Sequence, residues 1–412
     1  MLFTLARLSL LSRKKTVLLT LVSLTISMLV LFAVETVRVQ AKDSFNRTIS
    51  DTDLIVGAPS GQLNLLLYTV FRIGTPTNSI KYDSYQMLSD SELVEWAIPV
   101  SLGDAHRGFR VLGTTSAYFE HFKYGDKRWL SFRDGKLFET VFEAVIGADV
   151  ARQLGYEVGD SLVVAHGIGH TSFHKHEQSP FIVSGILNAT GTPVDKTVHV
   201  SLRGVEAMHL PPHQLEQLHD DPDAIALAPD KLSAVFLGLT SKFATLRLQQ
   251  QINTYPQDRL MAVLPGVALA ELWQLVGTME NVLRSIAALV LISALFGLAT
   301  MLLASMRERK GEIAVLRVLG AGPAKIMLLI MLESMLMTLA AVVVALVVLA
   351  LGIVTLKGWL AAEFGLFLTT NILTPQLWGA MGVVLVASVI TSLFPAMEAY
   401  KSSLHSQLSG NK

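Results

Sequence analysis

A chain of 412 residues that is 51% hydrophobic, with a mean hydropathy of +0.49, is too apolar for an ordinary soluble protein and too long for membrane spans alone, so a water-exposed domain accompanies the spans. Lys and Arg total 33 against 33 Asp and Glu, a balance that sets up no global field to recruit nucleic acid. Cysteine is absent, which excludes disulfides, thiolate nucleophiles and thiolate metal sites and leaves His, Asp and Glu as the available metal ligands.

A hydrocarbon core of about 30 Å takes about 20 predominantly apolar residues in a helix, and four runs meet that demand. A basic N-terminal segment, 1–15, precedes the first span, Thr16–Val37. That span is longer than a signal-peptide core of roughly 7 to 15 residues, which favours an uncleaved helix over a cleavable leader ending near Val39-Gln40-Ala41. The second span is Val282–Met306, the third Ile326–Leu356 and the fourth Leu377–Pro395, followed by the tail 396–412. Arg7, Arg13, Lys14 and Lys15 precede span one, and the connector 307–325 carries Arg307, Arg309, Lys310, Arg317 and Lys325. The loop 357–376 has Lys357 alone. Because basic loops stay on the cytoplasmic side, both termini and the 307–325 segment are expected in the cytoplasm. Residues 38–281 and the loop 357–376 are then expected outside a bacterial inner membrane, in the periplasm.

The predicted architecture is therefore a four-helix membrane protein with a mixed α/β domain inserted between helices 1 and 2. Within 38–281, Val141–Gly147 is rich in β-formers and Ala148–Leu154 has helical spacing that stops at Gly155. Gly159-Asp160 reads as a turn into a strand over Ser161–Ala165. Phe181–Leu187 and Thr197–Leu202 read as further strands, separated by a turn over Asn188–Asp195. Ala268–Asn281 has the character of a helix running into span two. Span one has Glu35 near one end, spans two and four read as free of interior charge, and span three holds Glu333. Glu333 is either a helix-contact or switch residue, or an interfacial carboxylate one or two turns inside the bilayer.

Eight of the 11 His lie between His166 and His219. The tightest group is His166, His170, His174, His176 and the adjacent Glu177, on a loop between two strands. Neutral imidazoles on a pliable loop can converge on Zn²⁺, Cu²⁺ or Ni²⁺, with Glu177 adding an oxygen ligand. A looser group comprises His209, His213, His219, Asp220 and Asp221. A pH-sensitive contact and an incidental polar loop remain open beside the metal reading. The spacing matches neither a helical H-E-x-x-H pair nor a G-x-S-x-G elbow, so no catalytic centre is expected in this chain.

The most specific stretch joins spans two and three: Arg307-Glu308-Arg309-Lys310-Gly311-Glu312-Ile313-Ala314-Val315-Leu316-Arg317-Val318-Leu319-Gly320-Ala321, with Glu333 following in span three. Together with Val145-Ile146-Gly147-Ala148-Asp149-Val150-Ala151-Arg152-Gln153-Leu154-Gly155 and the tail Phe394–Lys401, it resembles the MacB/FtsX-type permeases of ABC transporters over nearly the whole chain. That resemblance implies a homodimer whose chains each contact a separate cytoplasmic ATPase subunit, with ATP bound there, and a periplasmic lipoprotein or binding protein as a further partner. No G-x-x-x-x-G-K-[ST] loop occurs in the sequence, in keeping with an NTP site on another chain. A coupling helix would present Ile313, Leu316, Val318 and Leu319 as its apolar contact, rimmed by Arg307, Glu308, Arg309, Lys310 and Glu312. The transport reading is extraction or export of a lipoprotein, peptide or amphiphile. Competing readings are a zinc-uptake permease using the His-rich loop, and a scaffold that regulates a periplasmic enzyme mechanically. For the metal reading, exchange of His170, His174 and His176 for Ala abolishes stoichiometric Zn²⁺ binding in calorimetry, and an unchanged titration removes it.

Overall fold

The computed structural model describes residues 2–166, 178–220, 225, 227, 229–308, 315, 318, 321–364 and 368–408. The chain divides into two compact units, one made of Met1–Ala41, Gly277–Ala361 and Leu368–Lys412, the other of Lys42–Val276 with Ala362–Phe367.

The first unit is helical. Four helices are long and apolar enough to cross a membrane, over Lys14–Arg47, Pro265–Met306, Pro323–Lys357 and Pro375–Glu398. The complete helices are longer still, Pro265–Glu308, Pro323–Phe364 and Pro375–Leu408 for the last three. Hydropathy marks only the apolar stretch, whereas the backbone stays helical until a cap or breaker stops it. Each of these three helices opens on Pro, whose fixed φ suits the first helical position and whose missing N–H would have had no partner there. Pro395 was expected to close the fourth span, yet the helix runs through it. In a membrane helix the freed carbonyl is re-satisfied locally, so an internal Pro bends the rod without ending it. A shorter helix, Leu2–Ser12, precedes the first span.

The bundle core is formed by Leu24, Met28 and Phe32 of the first long helix, Leu295 and Leu298 of the second, Met337, Ala341 and Ala345 of the third, and Leu377 and Val384 of the fourth. Ala341 and Ala345, one turn apart and fully buried, are the small residues that let helix backbones approach closely in lipid. Leu19, Phe296, Leu351 and Val383 point outward, the apolar exterior that hydrocarbon requires.

The second unit is built on strands β1 (Leu54–Gly57), β2 (Ile80–Lys81), β3 (Val94–His106), β4 (Phe109–Thr114), β5 (Lys123–Tyr124), β6 (Arg128–Trp129), β7 (Phe132–Gly135) and β8 (Glu143–Ile146). It continues through β9 (Ser161–Leu162), β10 (Ala165–His166), β11 (Phe181–Leu187), β12 (Thr197–Ser201), β13 (Lys231–Leu232), β14 (Ala234–Leu239) and β15 (Met261–Val263). Eleven of them make one mixed sheet in the order β15-β1-β14-β3-β4-β12-β8-β11-β7, with β10 on β3 and β9 on β11. The runs of β-formers around Val145, Val183 and Val198 become three neighbouring strands, β8 flanked by β12 and, in parallel, β11. The helix Ala148–Leu154 leaves β8 and ends on Gly155 at φ 72°, the left-handed cap that glycine supplies without strain. Three apolar clusters fill the faces of the sheet, the largest around Leu65, Tyr118, Phe122 and Phe236.

Gly147 explains itself by contact. A Cβ there would stand 2.3 Å from the Val194 carbonyl oxygen and 2.4 Å from that of Asp195. The opposing turn is rigid, since the Asp195 carboxylate accepts from the Thr190 amide, the Thr190 hydroxyl and the Gly191 amide, each at 2.8 Å. Backbone pinned by a buried carboxylate cannot yield by an ångström. Gly147→Ala is therefore expected to destabilise this unit by about 1–3 kcal/mol, read as a fall of several degrees in the thermal unfolding midpoint of the detergent-solubilised protein.

Candidate functional site

Four charged side chains meet inside the helical unit. Glu35 lies in the second half of the first long helix, with Arg38 on the next turn donating to it at 2.7 Å. From the second long helix Arg284 reaches both Glu35 oxygens, through Nη2 at 3.0 and 2.9 Å and Nε at 3.2 Å. Glu280, one turn before Arg284, lies 3.6 Å from Arg38. The Glu35 side chain is 12% exposed and that of Arg284 44%. Two carboxylates thus balance two guanidinium groups, and the forked Arg284–Glu35 contact fixes register as well as charge. The reading of span two as free of interior charge is corrected by Arg284. Its signal lay in the i, i+3 spacing of Glu35 and Arg38 and the i, i+4 spacing of Glu280 and Arg284, two charged faces that each needed a partner.

Further along the first helix, Gln40 is 4% exposed. Its side-chain amide donates to the Asn371 carbonyl at 3.2 Å and accepts from the Thr369 amide at 2.9 Å. A single side chain thereby satisfies both kinds of backbone group in the segment that precedes the fourth helix. Between the third and fourth helices, Ser388 is 2.6 Å from the Thr338 hydroxyl and 3.2 Å from that of Ser334, a hydroxyl cluster that ties the pair together. Glu333 is 2% exposed, beside the buried Ser334.

At the opposite end of the second helix, Arg13 donates to the Ser305 hydroxyl and lies 4.0 Å from Glu308. The Glu308 side chain is 72% exposed. Val315 and Val318 are helical and exposed, 60% and 88%. Arg309, Lys310, Glu312, Ile313, Leu316 and Leu319 lie outside the described residues, as does the side chain of Arg307.

Of the histidines, His166 is on β10, opposite Asp104 of β3. His170, His174, His176 and Glu177 lie outside the described residues, and among the described residues no group of three or more His, Asp or Glu is arranged to hold a metal ion. His209 takes part in a 2.7 Å hydrogen bond with the Val205 carbonyl. His106 bonds the Val163 carbonyl at 2.7 Å and the Tyr156 hydroxyl at 3.0 Å, and burial lowers its pKa. These two imidazoles are engaged with the fold.

Among the described residues these polar groups of the bundle bind one another, an arrangement that sets helix position. Residues 17–254 match the family model for the MacB-like periplasmic core domain, more than half of the chain, and residues 284–404 match that for the FtsX-like permease C-terminal domain. The chain belongs to this family of ABC transporter permeases. Among curated relatives, the permease is 23% identical over 265 residues to the lipoprotein-releasing system transmembrane protein LolC of Haemophilus influenzae, covering 63% of this chain and 62% of that one. It is 25% identical over 190 residues to LolE of the same organism, covering 45% and 42%. The match thus spans less than two thirds of either relative. Among solved structures, the periplasmic region of MacB from Actinobacillus actinomycetemcomitans aligns at 11% identity and a TM-score of 0.34 over 55% of this chain and 94% of that one. The extracellular domain of the transporter YknZ from Gram-positive bacteria aligns at 15% identity and a TM-score of 0.28, covering 51% and 98%. The family assignment rests on the sequence matches.

Glu35→Gln in the permease leaves Arg38 and Arg284 without their shared carboxylate and is expected to cost about 1–3 kcal/mol in detergent, discounted for the partial exposure of Arg284. In a double-mutant cycle with Arg284→Met the two changes are expected to be strongly non-additive. Additive losses in the unfolding midpoint would show that the contact carries no coupling energy.

Proposed function

We propose that this permease is the membrane-spanning subunit of an ABC transporter that passes ATP-driven motion from a separate cytoplasmic ATPase to its periplasmic unit, extracting or exporting a lipoprotein or similar amphiphile. Both termini and the 307–325 segment face the cytoplasm, and two copies assemble around a pair of ATPase subunits. The observation that carries the reading is the pair of family matches, MacB-like core and FtsX-like permease, in a sequence without a phosphate-binding loop. The cargo class takes its support from the two lipoprotein-releasing relatives. Helix–helix contacts made of paired charges and hydroxyls among the described residues support force transmission through the bundle.

Leu316 is assigned to the apolar contact with the ATPase. Purification of the solubilised permease from its native membrane, with mass spectrometry of what stays bound, is expected to recover an ATPase subunit with the wild type. Leu316→Asp should lose that subunit while reaching the membrane in equal amount. A wild-type preparation with no ATPase would overturn the transporter reading, and equal recovery with Leu316→Asp would overturn the assignment of the contact. A lipidated protein or peptide bound to the wild type names the cargo class, whereas bound zinc would favour metal uptake.

A further inference from the structure

A buried arginine in the α/β unit lacks a counter-charge. Arg72 follows the helix Gln62–Thr69, and its backbone is held at φ 61°, a conformation non-glycine residues rarely adopt. Its Nε and Nη1 atoms are enclosed without a hydrogen-bond partner. Beside it lie two more enclosed polar atoms, the Tyr118 hydroxyl and Nε2 of His199, neither of which carries a negative charge to offset the guanidinium. Burial pushes the Tyr118 phenol up to about 12, with the Arg72 charge and hydrogen bonding to Arg72 opposing the shift. Burial, then the Arg72 charge, pushes His199 down to about 3, against its hydrogen bond to the Val145 carbonyl. His199 is therefore neutral in the folded protein, with Nδ1–H donating to Val145 and Nε2 an acceptor. Arg72 stays protonated, because a guanidinium does not release its proton in a protein.

A second guanidinium faces the same place. Arg110 of β4 donates to the Gly74 carbonyl, and Arg72 and Arg110 together line a recess completed by Tyr68, Gly74, Pro76 and Leu102. Burial and the charge of Arg72 both lower the Arg110 pKa. Among the described residues neither arginine has an ion-pair partner. Two like charges in one recess, one of them enclosed, repel each other unless an anion lies between them, and an uncompensated buried charge costs several kcal/mol. The free space admits a group about the size of one water, so an anion would enter by one oxygen and leave the remainder at the mouth beside Arg110. A planar fork of donors favours an oxyanion over a spherical ion.

We infer that the Arg72–Arg110 recess is a binding site for a phosphate-type oxyanion, supplied by inorganic phosphate or by an anionic lipid headgroup. One oxygen would take the Arg72 donors and the others would bridge to Arg110. The site belongs to the α/β unit alone and stands independently of the transport reading.

The test is equilibrium dialysis of the full-length, detergent-solubilised protein against labelled inorganic phosphate in low-salt buffer. Wild type is expected to bind about one phosphate per chain. Arg110→Gln should weaken binding at least tenfold and Arg72→Met should abolish it. In phosphate-free buffer Arg72→Met is expected to hold or raise the unfolding midpoint, since an apolar chain of similar length replaces an unpaired charge. Saturable binding that a short-chain phosphatidylglycerol displaces assigns the site to a headgroup, and binding that it leaves untouched assigns it to free phosphate. Absence of saturable binding by the wild type, unchanged binding in both variants, or a site filled by chloride but not by phosphate would overturn the inference.

Discussion

β3 holds the α/β unit together by hydrogen bonds made on both of its edges. Thirteen residues long, it pairs with β14 over Val94–Val100 and with β4 over Ser101–His106. The register shifts between Leu102 and Ala105, a break that increases local twist and lets one strand serve two halves of the sheet. The half holding β15, β1 and β14 packs helix Thr245–Asn253 through Leu248 and Ile252. The half holding β12, β8 and β11 packs the helix Ala148–Leu154 through Val150 and Ala151. Ser233 stitches the two at the crossing, its hydroxyl accepting from the Leu102 amide at 2.9 Å and donating to the Leu102 carbonyl at 3.2 Å.

The helical unit solves a different problem. In hydrocarbon an apolar contact between helices gains little over an apolar contact with lipid, so position is set by close packing and by polar groups that find one another. Interhelical hydrogen bonds there average about 0.6 kcal/mol, too little singly to hold a bundle but enough to choose one register over its neighbours. The charges around Glu35, the amide of Gln40 and the hydroxyls around Ser388 act at three separate levels of the bundle. Leucine and alanine supply the bulk of the contact, and these groups specify which leucine meets which alanine.

Much of this was legible in the sequence. The four apolar runs, the inserted domain and strands β8, β11 and β12 follow from hydropathy, β-former runs and glycine stops, because each signal is local; the single strand read over Ser161–Ala165 is instead two short ones, β9 on β11 and β10 on β3. β3 was not legible, since Pro99 and Gly103 are residues that ordinarily argue against a central strand. The Glu35–Arg284 pair was not legible either. Its partners are 249 positions apart, and Arg284, two residues into an apolar run, reads as a rim residue until the facing helix is known. The recess at Arg72 has the same origin: two arginines from separate elements are brought together by the fold, with no spacing in the chain to announce them.

The large sheet finishes in β15 and β7, three and four residues long. A bare strand edge is a template on which another unfolded chain can add, and shortness is one defence against it. β7 adds a second defence, the exposed Arg133 and Asp134, paired with each other at 2.7 Å, which bring charge to that border. Until such a sheet is complete its edges are open to other copies of the chain. Borders this brief, one of them charged, give those copies little on which to polymerise.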